Sequence, residues 1–223
     1  MPYDEHPLII VPDSNCKIWR YMDFSKFVSL LEEKALYFSN VKNFQDDPYE
    51  GSITKATIEK IKNTPVGQHN LQVFDKGREL IYVSSWHLSE YESVAMWRQY
   101  ANSGIGIAIQ STVQRMKEAF SNTERSISIG KINYEIDYNS QEIKELNVFV
   151  WALHKRKHFK ADEEVRALFL DTSMQQGHLV PVNLERLIEK IIISPNSPQW
   201  HYELINKLLI RYGIVKKAEY SEI

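Results

Sequence analysis

Cysteine is almost missing from this sequence. One residue, Cys16, among 223 excludes an internal disulfide framework and any cysteine-based structural zinc site, and it suits a reducing compartment. Long apolar runs are missing too. The longest, "PLIIVP" and "IEKIIISP", fall far short of the ~20 residues that a bilayer-spanning helix needs. The start, "MPYDEHPL", carries acidic residues and two prolines where a secretion signal has a basic and then an apolar stretch. The expectation is a cytoplasmic protein with no membrane partner. An excess of either charge is also lacking. With 27 basic and 29 acidic residues, the net charge of −2 gives no global pull toward nucleic acid, and only local basic patches remain.

Familiar phosphate and nucleophile motifs are absent as well. The chain has no G-x-x-x-x-G-K-[ST] loop, no G-x-S-x-G elbow and no H-E-x-x-H pair. "GIGIAIQ" contains G-x-G, but it starts a strand rather than opening a helix, which is the wrong context for a dinucleotide turn.

What is present is an ordinary globular balance, 43% apolar and 25% charged, on a chain long enough to bury a sizeable core. No repeat or domain-sized linker interrupts it, and "KNTPVGQHN" (62–70) reads only as a loop. A single domain over 1–223 is expected. "KIWRYM" (17–22) reads as a strand, and "FSKFVSLLEEK" (24–34) puts Phe24, Phe27, Val28 and Leu31 on one helical face. "ALYFS" returns as a strand, "SITKATIEKIK" as a helix capped at Ser52, and "LIYVSSW" (80–86) as a buried strand. Ser89 and Glu92 have capping-box spacing for a helix over 90–101; Ser111 and Gln114 repeat it for a helix ending near Phe120. In "GIGIAIQ" (104–110) the small residues Gly104, Gly106 and Ala108 share one face, open to close approach by another element. Further on, 126–138 alternates like a long strand or hairpin, 140–157 reads as a helix, and "EEVRALFL" (163–170) as a strand. "LERLIEK" is a helical turn or two, "IIIS" a strand, and "QWHYELINKLLIRYG" a helix stopped at Gly213. The irregular alternation favours an α+β fold, with a mostly antiparallel or mixed sheet and flanking helices.

Chemistry-bearing residues are scattered. Arg20 and Tyr21 end the first strand, where a guanidinium suits a phosphate or carboxylate, or an ordinary salt bridge. Ser84 and Trp86 point to one face of their strand, Ser85 and His87 to the other. Trp97 reads as core, while Tyr100 and Trp86 suit a pocket rim as well as a core. In "ADEEVR", Glu163 and Val165 share one face, and Glu164 and Arg166 the other, so one glutamate faces solvent or a cleft; an exposed Glu164–Arg166 edge pair is the plain alternative. His154 and His158 have metal-ligand spacing, but "KRK" between them opposes a dication and favours a solvated basic helix end. Asp46, Asp47 and Glu50 in "FQDDPYEG" read as an acidic turn rather than a cation loop. No metal site is expected.

These pieces, in order, resemble the bacterial family called domain of unknown function 2971, related to abortive-infection proteins of the G type. "WRY" precedes "ALYFSNVKNFQDDPYEG"; then come "VSSW", "MWRQYANSGIGIAIQ", "INY", "HKRKHFKADEEVR" and "LIEKIIISP", together covering most of 17–200. The strand order also resembles that of ADP-ribosyltransferases using an Arg, a strand-borne Ser and a Glu. That resemblance implies an ADP-ribosyltransferase-like fold, NAD as substrate, and Glu163 or Glu164 as the catalytic carboxylate. Arg20, Tyr21, Ser84, Ser85, Trp86 and Tyr100 would bind substrate. The sequence departs from that pattern with S-S-W in place of S-T-S, and D-E-E-V in place of E-x-E.

Three functions therefore compete. The first is an NAD-consuming or ADP-ribosyl-transferring enzyme, a phage-defence effector or toxin with a protein or nucleic-acid acceptor. The second is a nuclease or nucleic-acid binder, resting on "HKRKHFK" (154–160), the aromatics of 84–100 and the acids Asp46, Asp47 and Glu50. The third is a non-catalytic interaction module. Convergence of Arg20, Tyr100 and a glutamate of 162–164 on one pocket separates the first from the third.

Overall fold

The computed structural model describes residues 3–44, 47, 49–64, 71, 76–101, 104–143 and 147–223. Nine strands form one sheet, all pairs antiparallel except the last. The strands are β1 (Lys17–Met22), β2 (Ala35–Asn40), β3 (Ile81–Leu88), β4 (Ile107–Thr112), β5 (Ser128–Lys131), β6 (Glu164–Leu170), β7 (Gly177–Pro181), β8 (Lys190–Ile193) and β9 (Ala218–Tyr220). The main path runs β5-β6-β3-β1-β4-β8-β9, and β2 carries β7 off to the side. The described helices are α1 (Phe24–Glu33), α2 (Lys55–Ile61), α3 (Val94–Tyr100), α4 (Val113–Ala119), α5 (Val148–Ala152), α6 (Leu184–Leu187) and α7 (Gln199–Arg211), with a further helical segment over 76–80. The fold is α+β with a mixed, mostly antiparallel sheet, as expected.

One feature of the register opens the sheet. β6 pairs with β3 along nearly its whole length, from Ile81↔Leu170 to His87↔Glu164. The other edge of β3 is shared between two strands. β1 takes its end, at Trp19↔His87 and Ile18↔Leu88, and β2 takes its start, at Ser39↔Val83 and Asn40↔Tyr82. Between them Ser84, Ser85 and Trp86 have no strand on that edge, so β1 and β2 diverge there as a fork.

The two faces of the sheet bury different cores. Ile18, Met22, Trp86 and Phe38 pack with Phe27 and Leu31 of α1, Met116 of α4, and Ile205 and Leu209 of α7. On the other face, Trp19, Tyr21, Ala108 and Ile192 pack under Met96 and Trp97 of α3, while Ile81, Val83 and Leu168 pack near Ala152 of α5. That second face therefore has two separate covers.

Local chemistry explains where the elements stop. Asp23 caps α1 by accepting from the Lys26 amide at 2.9 Å. α2 is capped by Thr54 rather than Ser52. α3 starts at Val94 behind Ser93, later than the Ser89 capping box predicts. The Ser89 amide instead donates to the Lys17 carbonyl and its own carbonyl accepts from Trp19 Nε1, so the chain stays with the sheet edge through Ser89. Likewise α4 is capped by Thr112 instead of Ser111. The long helix expected over 140–157 shrinks to α5, because Asn133 claims the chain after it: its amide donates to Leu153, and Lys155 donates back. Residues 144–146 lie outside the described residues. The strand expected over 126–138 shortens to β5: Ile132 still bonds the Glu164 carbonyl in the β6 register, but the Asn133 amide leaves it for the Leu153 carbonyl. β7 and β9 carry no sequence expectation at all. The loop expected over 62–70 falls mostly outside the described residues. Among the described residues, no helix is long and apolar enough to cross a membrane.

Candidate active site at the strand fork

Arg20 lies one residue past Trp19, the last β1 residue paired with β3, and its guanidinium fills the fork. Nη1 donates to Ser84 Oγ at 2.5 Å and to the Ser85 carbonyl at 3.2 Å, and Nη2 reaches the Tyr37 carbonyl of β2 at 3.5 Å. One side chain thus joins three strands where backbone pairing lapses. The guanidinium also lies 5.7 Å from the Trp86 ring centroid, on its face. Burial pulls its pKa down to about 10, with Tyr100 opposing the shift, so it stays cationic at neutral pH. Its bonds occupy part of a five-donor fork, which leaves N–H groups for an anion.

The fork opens into a cleft of about 890 Å³, bounded by α3 on one side and the 155–164 segment on the other. Arg20, Tyr21, Ser85, Trp86, Tyr100 and Glu164 all line it. Tyr100 stands on the α3 wall, 43% exposed. Burial pushes its phenol pKa up, and Glu164 and Asp162 add to this while Arg20 and Lys155 oppose it. The Tyr100 hydroxyl thus sits in the field of both ends of the cleft.

Glu164 belongs to a buried charge cluster. Its Oε1 accepts from Lys155 Nζ at 2.9 Å, and its Oε2 from Arg166 Nε at 2.8 Å, with Arg166 Nη2 at 2.7 Å. Arg166 is 1% exposed; it also pairs with Glu50 and donates to the Ala152 carbonyl at 2.7 Å. Lys155 completes the group through Asp162 at 2.9 Å. Burial alone would raise the Glu164 pKa; Arg166 and Lys155 outweigh it and hold the carboxylate below its usual range. Glu50, Asp162 and Glu164 set against Lys155 and Arg166 leave this end of the cleft with a formal excess of one negative charge, opposite the cationic Arg20.

The expected residues separate cleanly. Arg20, Ser85, Trp86, Tyr100 and Glu164 share the cleft. Ser84 does not line it: at 1% exposed, its Oγ is occupied by Arg20 and by Trp86 Nε1 at 3.3 Å, so it holds the guanidinium from behind. Tyr21 lines the cleft with its ring while its hydroxyl accepts from the Ser93 amide at 2.8 Å, which ties down the start of α3. Glu163 is elsewhere. It ends a 3-10 turn with φ 39° and faces a separate depression of about 220 Å³ beside Cys16 and Lys17. Trp97 is core, edge-on to Tyr21 at 4.9 Å. The Glu164–Arg166 pair is not an exposed edge, because α5 and the 155–162 segment cover it.

Several features behind a nucleic-acid reading have other partners. In "HKRKHFK", Lys155 is buried, Arg156 pairs with Asp47 at 3.0 Å, and Lys160 pairs with Glu135 at 3.0 Å. His154 is buried too. Glu50 is taken by Arg166, and Asp46 lies outside the described residues. Missed from the sequence were Lys155, Arg166, Glu50 and Asp162 as one cluster. The one signal was Glu164 and Arg166 sharing a strand face.

No family model matches the chain, so the resemblance to domain of unknown function 2971 stands on the quoted motifs alone. No curated protein matches either. Among solved structures, DarT of Thermus sp. 2.9 in complex with carba-NAD+ is similar at TM-score 0.45 and 10% identity, over 95% of this chain and 97% of that one. The same protein with ADP-ribosylated ssDNA gives TM-score 0.44 and 11% identity, over 96% and 97%.

Proposed function

We propose that the fork cleft binds NAD and breaks its nicotinamide–ribose bond, passing ADP-ribose to an acceptor or to water. The observation that carries this reading is the convergence of Arg20, Tyr100 and Glu164 on one cleft, with Trp86 and Ser85 beside them. The same convergence favours an active site over a non-catalytic module. In this reading, the remaining N–H groups of Arg20 take the pyrophosphate, and the exposed Tyr100 ring supplies an aromatic wall for the nicotinamide while the buried Trp86 backs the guanidinium. Cleavage sends the bonding electron pair out with neutral nicotinamide and leaves an oxocarbenium-like ribosyl, as in glycoside cleavage. An ionised Glu164 at the negative end of the cleft stabilises that cation. Oε1 of Glu164, with one bond from Lys155, keeps a lone pair for a ribose hydroxyl. Because its pKa is held low, Glu164 is a poor proton acceptor, so the proton released by the attacking acceptor passes to water in the open cleft. A toxin or phage-defence role, and the identity of the acceptor, belong to the same proposal.

The test is nicotinamide release from NAD by the pure protein, with a parallel melting-temperature shift. The wild type should show both. Glu164→Gln should keep the NAD-dependent shift and lose about 100-fold in release, the scale seen when a single charge-stabilising contact is removed. A concentrated wild-type sample that releases no nicotinamide and does not melt higher with NAD overturns the proposal.

A further inference from the structure

The α3 wall of the cleft is held from an unexpected direction. Glu92 precedes the helix and lines no part of the cleft. Its Oε2 accepts from Trp97 Nε1 at 2.8 Å and from Ser221 Oγ at 2.5 Å, and its Oε1 accepts from the Glu222 amide at 3.1 Å. Thus one carboxylate joins a helix residue to the segment that follows β9, about 130 positions away in the chain. Burial raises the hydroxyl pKa of Tyr21, and Glu92 adds to that against the opposing bond that the Tyr21 oxygen accepts from the Ser93 amide at the start of α3.

The far side of this joint is a short edge strand. β9 is three residues long and lies at the sheet edge, paired to β8 alone among the described residues. α7 holds it through Asn206, which accepts from the Ala218 amide at 3.1 Å, Gln199, which accepts from the Tyr220 hydroxyl at 3.1 Å, and the Tyr202 ring stacked on Tyr220 at 5.1 Å; past β9, the Ser221 amide bonds the Ile193 carbonyl. α3 itself is only seven residues, too short to hold its position by helix propensity, so its place depends on tertiary bonds. Beside the packing of Met96 and Trp97 on the sheet, these are the Glu92 bonds and the Tyr21 hydroxyl at Ser93; the same helix carries Gln99 and Tyr100 into the cleft.

We propose that Glu92 is a positioning residue through which the Ser221–Glu222 segment sets the α3 wall of the cleft. Docked, the segment fixes Trp97 and with it Tyr100; released, it frees the wall and loosens the cleft. The consequence for NAD rests on the function proposed above; the joint itself does not.

Hydrogen exchange on the full chain, read by mass spectrometry, tests it. Glu92→Gln should speed amide exchange within 94–101 by about ten-fold while 81–88 and 164–170 keep wild-type protection, because the opening is local. Ser221→Ala, which removes one of the three bonds, should give a smaller change in the same peptide. Glu219→Gln, on the exposed Lys190 pair of the same strand, serves as control and should change neither. With NAD as substrate, Glu92→Gln should raise KM several-fold and leave kcat within about two-fold, as expected for lost positioning of a binding wall. Unchanged exchange in 94–101 in both variants overturns the proposal. Acceleration spread equally over the sheet also overturns it, since Glu92 would then be a general stabiliser. If the wild type turns over no NAD, the proposed function fails, and the exchange data still decide the joint.

Discussion

At the residue scale, Arg20 and Arg166 show the same side chain in two different tasks. Arg20 replaces missing ladder bonds at the fork and still has donors to offer a ligand. Arg20→Lys keeps the charge but cannot hold Ser84, Ser85 and Tyr37 together through one planar fork. It should lose the NAD-induced rise in melting temperature and be destabilised by about 1–3 kcal/mol in urea titration. Arg166 is spent on structure, with Glu50, Glu164 and the Ala152 carbonyl as its partners. Arg166→Met leaves two buried carboxylates without their main cation, which should cost about 3–5 kcal/mol in the same titration. Loss of less than about 1 kcal/mol would show the cluster to be far more solvated than its burial suggests. Of these two roles, the sequence showed an arginine at a strand end suited to an anion, and Arg166 sharing a strand face with Glu164.

At the element scale, the cleft depends on how closely α3 can approach the sheet. A Cβ placed on Gly106 would meet Ala101 Cβ at 2.2 Å and its Cα at 3.0 Å, with Trp97 at 3.5 Å. The bare backbone there lets the end of the helix sit against the start of β4, the close approach that the small-residue face of "GIGIAIQ" announced. Gly106→Ala should lower stability by about 1–3 kcal/mol through overpacking and weaken NAD binding by displacing Tyr100. Adding Ala101→Gly removes the clashing methyl and should restore most of the loss in a thermal melt. Failure of that double variant to recover would mean that the Ala101 backbone, rather than its methyl, sets the approach. The elements themselves were largely legible: β1, α1, β2, β3, α4, β6 and α7 follow local periodicity and capping. The misses at Ser89, 126–138 and 140–157 share one cause, a backbone partner distant in sequence that outbid the local preference.

At the scale of the whole molecule, charge pairing ties the fold to pH. Arg125 and Ser173 hold the Asp171 carboxyl well below its usual range, and Arg166 with Lys155 holds Glu164 below its own against burial. For a carboxyl with a depressed folded pKa, the stabilisation is complete above the unfolded value, about 4, and fades as pH falls toward the folded one. Stability should therefore fall through the acid range below about pH 4, and Asp171→Asn should flatten that limb while leaving the neutral plateau slope unchanged. Urea midpoints measured at steps between pH 2 and 7 check this. A variant with the same acid slope as wild type would remove Asp171 from the account.

The sequence by itself determined the class of the fold, most strands and helices, and the residue types of the candidate site. Those follow from periodicity, capping and turn chemistry within a few residues of each position. Only the tertiary structure decided which residues meet. The fork arises because β1 and β2 both pair with one edge of β3, and no local pattern encodes that. It placed Glu164, the first residue of β6, in the cleft and left Glu163 outside, at the left-handed end of the preceding 3-10 turn. It set Ser84 behind Arg20 and drew Lys155 of a basic-looking stretch into a buried charge cluster. Pairing across long sequence distances made each of those choices.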